Sequence, residues 1–122
     1  MIEVKLVEEG VLVYHWIDNV TMQEAKNALA IVIPLLTTST YSTIIDMRQV
    51  KTIPSDIVHM RENIKAEIKH GLKGYVILGA PRIVETFVRA LSSLAPTTYQ
   101  FAHSWDEAVD MARILIRESF QG

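Results

Sequence analysis

The chain has 122 residues, 49% of them hydrophobic, which is enough for one sizeable core and excludes a disordered polymer. Twelve basic against 14 acidic side chains leave a formal net charge of −2, so no field is available to recruit a nucleic-acid backbone. With no cysteine there is no disulfide framework, no thiolate nucleophile and no Cys-ligated metal.

The opening residues, MIEVKLVEEG, carry acids early and lack the basic-then-apolar layout of an export signal. The longest apolar run, Ala28 to Leu36, is about half a membrane span and contains Pro34. A single cytoplasmic domain over 1–122, with no membrane span, is the expectation.

Ile2, Val4 and Leu6 alternate with Glu3 and Lys5, the pattern of a half-buried strand, and Glu8-Glu9-Gly10 then turns the chain. Val11 to Ile17 is β-rich and completes a hairpin. Thr21 to Glu24 has capping-box spacing and opens a helix through about Leu36, with Pro34 placed to end or bend it early. Tyr41 to Met47 forms the next strand, and its adjacent Ile44 and Ile45 suit a strand covered on both faces.

Pro54 introduces a second helix to about His70, with Ile57, Met60, Ile64 and Ile68 at three- and four-residue steps. Gly71 stops it, and Gly74 precedes a strand over Tyr75 to Leu78. Pro81 starts a third helix whose broad apolar face is Ile83, Val84, Phe87, Val88, Leu91 and Leu94, and Pro96 ends it. A short strand at Tyr99 to Ala102 precedes a second capping box, Ser104 to Glu107, and a terminal helix with Ala108, Val109, Ala112, Leu115 and Ile116 inward. Strand and helix alternate after residue 40. That order predicts an α/β fold: a mixed sheet with a leading β-hairpin, then parallel βαβ units with right-handed crossovers, and about four helices.

The chemistry-bearing residues form few recognisable constellations. His15, His59, His70 and His103 do not pair at metal-ligand spacing, except that His59 and Glu62 share a helix face, so neither a metal nor a cofactor is expected. Ser104 serves better as a helix cap than as a nucleophile beside His103. No glycine-rich phosphate loop and no nucleophile elbow occur. The carboxyl ends of parallel strands share one rim, which would gather Asp46, Arg48, Ser55, Asp56, Gly79, Arg82, His103 and Ser104. Asp46, Gly79, Arg82 and His103 are therefore a candidate ligand rim, and Asp46 with His103 a candidate acid–base pair. A phospho-accepting role for Asp46 lacks the acidic cluster and the lysine that such a site needs.

The segments STIIDMRQVKTIPSDIVHMREN, GYVILGAPRIVETFVRAL and SWDEAVDMA carry a more specific signal. Together, over about residues 41 to 115, they resemble STAS-like domains of the anti-sigma-factor antagonist type. The SEC14-like lipid-binding domain is a related possibility with a similar sheet and helix arrangement. The resemblance implies a non-enzymatic regulatory domain that binds a protein partner or a second copy of itself as a homodimer. The alternative is a sensor for a small anionic or lipid-like ligand. Carried onto this chain, the family's switch segment falls on Pro54-Ser55-Asp56: Pro54 replaces an aspartate, Ser55 matches the first serine, and Asp56 stands for the phosphorylated serine. A carboxylate there cannot accept a phosphate from a serine kinase, which implies loss of the switch or permanent imitation of its charged state. Arg48, Ser55, Asp56, His59 and Met60 are accordingly the expected partner-binding residues.

Overall fold

The computed structural model describes residues 1–119. Strand β1 (Ile2–Glu8) pairs antiparallel with β2 (Val11–Asn19), and β3 (Tyr41–Thr52), β4 (Leu72–Leu78) and β5 (Thr98–Ala102) continue the sheet in parallel. The strand order is β1-β2-β3-β4-β5. Helices α1 (Met22–Val32), α2 (Ile57–Lys69), α3 (Arg82–Leu94) and α4 (Trp105–Ser119) connect or follow the strands. This is the mixed α/β architecture expected from the hairpin followed by alternating strands and helices.

The period of two in the strands creates two separate cores. Leu12, Tyr14 and Trp16 of β2 join Ala28, Met60, Ile64, Val84 and Leu91 from the first three helices. Val11 and Val13 point the other way and pack with Ile44, Val76 and Leu78 against Ala108, Ala112 and Leu115 of α4. Ile44 and Ile45 fall on opposite sides, as two adjacent apolar residues in a covered strand must.

Local chemistry sets the helix ends. The Thr21 hydroxyl accepts from the Glu24 N–H at 3.2 Å, and the Glu24 carboxylate accepts in return from the Thr21 N–H at 3.1 Å. The helix they open ends at Val32 rather than Leu36, because Pro34 supplies no N–H and the chain tightens into a 3₁₀ turn over Ile33–Leu35. Ser104 caps α4 by accepting from the Glu107 N–H at 3.2 Å.

Two strand boundaries and one helix face also differ from the periodicity. β3 runs on to Thr52 because it stays paired with β2 as far as Asn19, across a register shift beyond His15. β4 begins at Leu72, so Gly74 lies inside the strand; a Cβ there would sit 2.8 Å from the Thr98 carbonyl oxygen, and close strand approach explains the glycine. On α3, Val84, Val88 and Leu91 are buried but Ile83 is 71% exposed and Leu94 39% exposed, so the apolar stripe is narrower than the run of apolar residues. Among the described residues no helix is long and apolar enough to cross a membrane.

Candidate functional site

The turn between β3 and α2 and the first residues of that helix carry four of the five expected partner-binding residues, Ser55, Asp56, His59 and Met60. Asp56 is the N-cap of α2: its carboxylate accepts from the His59 N–H at 3.1 Å, and the His59 ring closes on the second oxygen. The hydrogen bonds from His59, first the ring and then the backbone, hold the Asp56 carboxyl below the ordinary carboxylate range. Ser55, Asp56 and His59 are all exposed, and so is Val58, at 54%. Met60 is the exception among the expected contacts: it is 7% exposed, sits in the core under α2 and does not face outward. The i, i+4 spacing from Met60 to Ile64 already marks it as core.

Arg48 belongs to a different cluster. The bulge in β3 after Asp46 brings the two side chains together, and the Arg48 guanidinium donates to both Asp46 oxygens at 3.0 and 2.9 Å. The Nδ1 of His15 lies 2.9 Å from the same carboxylate, and the His15 ring stacks on Trp105 at the start of α4, with centroids 6.2 Å apart. Burial pushes the Asp46 carboxyl up, but hydrogen bonds from Arg48 and His15 outweigh it and leave it below its usual range. The cluster borders an open groove with Glu3, Lys5 and Gln49, beside the start of α4, where Trp105 stacks on His15. No hydrogen bond or ion pair joins Arg48 to Ser55, Asp56 or His59 among the described residues.

Of the candidate ligand rim, Asp46 lies in that groove, while Gly79 and Arg82 follow β4 and His103 follows β5, all three exposed. Gly79 has φ +68°, and a Cβ there would meet the Arg48 Cγ at 2.6 Å, so it serves the packing of Arg48. The acid–base pair of Asp46 with His103 is not formed: Asp46 takes His15 and Arg48 as its partners. No group of three or more acidic or histidine side chains suited to a metal occurs among the described residues.

A third cluster was not anticipated. Glu67 of α2 is 1% exposed, and its two carboxyl oxygens receive the hydroxyls of Tyr14, at 2.5 Å, and Tyr75. The Tyr41 hydroxyl donates to the Glu67 carbonyl at 3.3 Å. Burial raises the Glu67 carboxyl above its ordinary value; the two hydroxyls pull the other way, and no cation accompanies them. Burial also raises the hydroxyls of Tyr14, Tyr41 and Tyr75, and pushes that of Tyr99 up to about 12. The signal was present in the sequence: Glu67 lies three residues after Ile64 and seven after Met60, on the buried stripe of α2.

These strands, helices and crossovers define a STAS-like domain fold. The chain is similar to the anti-sigma factor antagonist SpoIIAA in its unphosphorylated form, with 10% identity over 93% of this chain and 98% of that one and a TM-score of 0.63. An uncharacterized protein of the DUF3478 family with a SpoIIAA-like fold, from Shewanella loihica PV-4, aligns at 18% identity over 92% of both chains with a TM-score of 0.63. A sulfate transporter family protein from Wolinella succinogenes aligns at 21% identity over 93% of both chains with a TM-score of 0.61. No family model matches the sequence, and no curated protein does.

Proposed function

We propose that this domain is a non-enzymatic regulatory module that binds another protein through the exposed start of α2, and that it works without a serine phospho-switch. The observation that carries this reading is the Asp56 carboxylate, exposed at the helix N-terminus and held there by His59. SpoIIAA occurs in an unphosphorylated and a phosphorylated form. Here a carboxylate brings charge to the corresponding turn without a kinase, and the helix dipole favours it.

Val58 on α2 and Ile83 on α3 supply apolar area at the starts of neighbouring helices, with 54% and 71% of their surfaces exposed. A charged side chain on a surface that also exposes Val58 and Ile83 suits a protein partner better than a small anion. The partner is a second copy of the chain or a different protein with a basic, partly apolar face.

Affinity capture from native lysate, with wild-type protein beside Asp56→Lys and the Val58→Glu/Ile83→Glu double variant, tests the surface. Sedimentation of the purified domain checks self-association in parallel. We expect partner or dimer loss in both variants with the fold intact by circular dichroism. Identical partner lists and sedimentation for all three proteins would reject this surface.

A further inference from the structure

Strand β1 ends the sheet, so its outer edge has no neighbouring strand among the described residues. The hydrogen-bonding phase of the hairpin fixes what that edge offers. Met1 and Ile17 exchange both backbone hydrogen bonds, at 2.8 and 2.9 Å, and the register continues from Ile2 opposite Trp16 to Leu6 opposite Leu12. Bonded and non-bonded pairs alternate in an antiparallel ladder, so Glu3 and Lys5 direct their N–H and C=O groups at β2. Ile2, Val4 and Leu6 direct theirs outward. The bulge between Leu6 and Glu8 ends this regular edge. Side chains alternate as well: Ile2 and Val4 pack on the core beneath the first three helices, whereas Glu3 and Lys5 stand exposed on the other face, along the open groove of His15. Neither Glu3 nor Lys5 has an ion-pair or hydrogen-bond partner among the described residues.

We infer that two copies of this chain join edge to edge through β1, antiparallel about a two-fold axis at Val4, so that their sheets become one. In this register Val4 faces Val4 of the second copy, and Ile2 and Leu6 face each other across the axis. Each of these pairs exchanges two main-chain hydrogen bonds, because their outward groups are in phase. Glu3 then lies opposite Lys5 of the second copy, and Lys5 opposite its Glu3, at the non-bonded positions where side chains approach most closely. Sliding one strand by two residues is the smallest slip that keeps the bonding phase, and it sets Glu3 against Glu3 or Lys5 against Lys5. Charges on an edge strand commonly keep other strands away. Here they repel in the two flanking registers and attract in the central one, and the two-fold axis makes the attraction occur twice. Leu6, 47% exposed, gains an apolar neighbour in Ile2 of the second copy. The opposite edge has no such selection, since β5 (Thr98–Ala102) carries no charged side chain. The α2 surface proposed above lies on other elements, and the edge pairing does not rest on it.

Sedimentation equilibrium of the purified full chain tests the pairing. The wild-type chain is expected to dimerise with a Kd in the micromolar range, as suits a small interface. Glu3→Lys alone, or Lys5→Glu alone, sets like charges opposite each other at both pairs and is expected to raise Kd at least about tenfold. The double exchange Glu3→Lys/Lys5→Glu restores opposite charges and is expected to return Kd to within about threefold of the wild type. Leu6→Pro removes one outward N–H without touching a bond to β2, and weakens the dimer too. If that variant fails to fold, the charge exchanges, made on exposed side chains, still decide. Asp56→Lys and Val58→Glu/Ile83→Glu leave this dimer unchanged. A wild-type chain still monomeric at about 1 mM, single exchanges without effect, or a double exchange as weak as the singles would overturn the inference. So would dimer loss confined to the α2 variants, which would assign self-association to that surface instead.

Discussion

The hydroxyl of Tyr14 on β2 donates at 2.5 Å to a carboxyl oxygen of Glu67 on α2, a side chain 53 residues away in sequence. Tyr75 on β4 takes the other oxygen, so one carboxyl fastens a helix to two strands. Removing it leaves two buried hydroxyls unpaired and a void beneath α2. Glu67→Ala is expected to cost about 3 kcal/mol, and Glu67→Gln less, measured by urea denaturation.

The same residue sets a pH dependence. Burial raises the folded-state value of the Glu67 carboxyl above its unfolded one. Its contribution to stability is therefore full below the ordinary carboxylate range and is lost as pH rises through the raised folded-state value. Glu67→Gln should flatten that part of the stability–pH curve. An unchanged curve in the variant would mean that Glu67 is not its source.

Asp46 behaves in the opposite sense. Burial is outweighed by Arg48 and His15, so its folded-state value is depressed. The stability it confers is present above the unfolded value and falls as pH drops through the folded one. Asp46→Asn is expected to cost about 1–2 kcal/mol at neutral pH and to weaken this acid-range loss, both measurable by denaturant titration at several pH values.

Asp56 caps α2 from the surface. Asp56→Ala should lower the thermal midpoint by a few degrees, whereas Asp56→Ser, which restores a capping oxygen, should recover most of it. A calorimetric comparison of the three proteins separates the structural role of the cap from its part in partner binding.

Gly71 ends α2 with φ +110°, and a Cβ there would lie 2.1 Å from the Ser39 carbonyl oxygen. Both the dihedral and the backbone contact forbid a side chain. Gly71→Ala is expected to destabilise the domain by more than about 2 kcal/mol in equilibrium unfolding.

Local patterns were sufficient for most of the architecture. The alternation in β1, the capping box at Thr21, the glycine at 71 and the stripe of α4 each depend on neighbours within a few residues, so element type and order were legible. So was the antiparallel start of the sheet, because a short turn between two strands permits little else. Strand lengths were less accessible. Whether β3 stops at Met47 or continues to Thr52 depends on its pairing with β2, which no local pattern encodes.

The side-chain clusters show the same division. The turn at Ser55 and Asp56 could be read as a helix start because capping is local. Asp46 could be seen as polar at a strand end, but His15 and Arg48 as its partners, in place of His103, follow from parallel register and a bulge. Met60 had the periodicity of a core residue and is one. Glu67 shared that stripe, yet a carboxyl there could be judged tolerable only once Tyr14 and Tyr75 were known to reach it from two strands. Composition, periodicity and caps specify which elements form, since they act over a turn or two of chain. Which polar groups meet depends on contacts between residues tens of positions apart, and only packing the sheet against its helices fixes them.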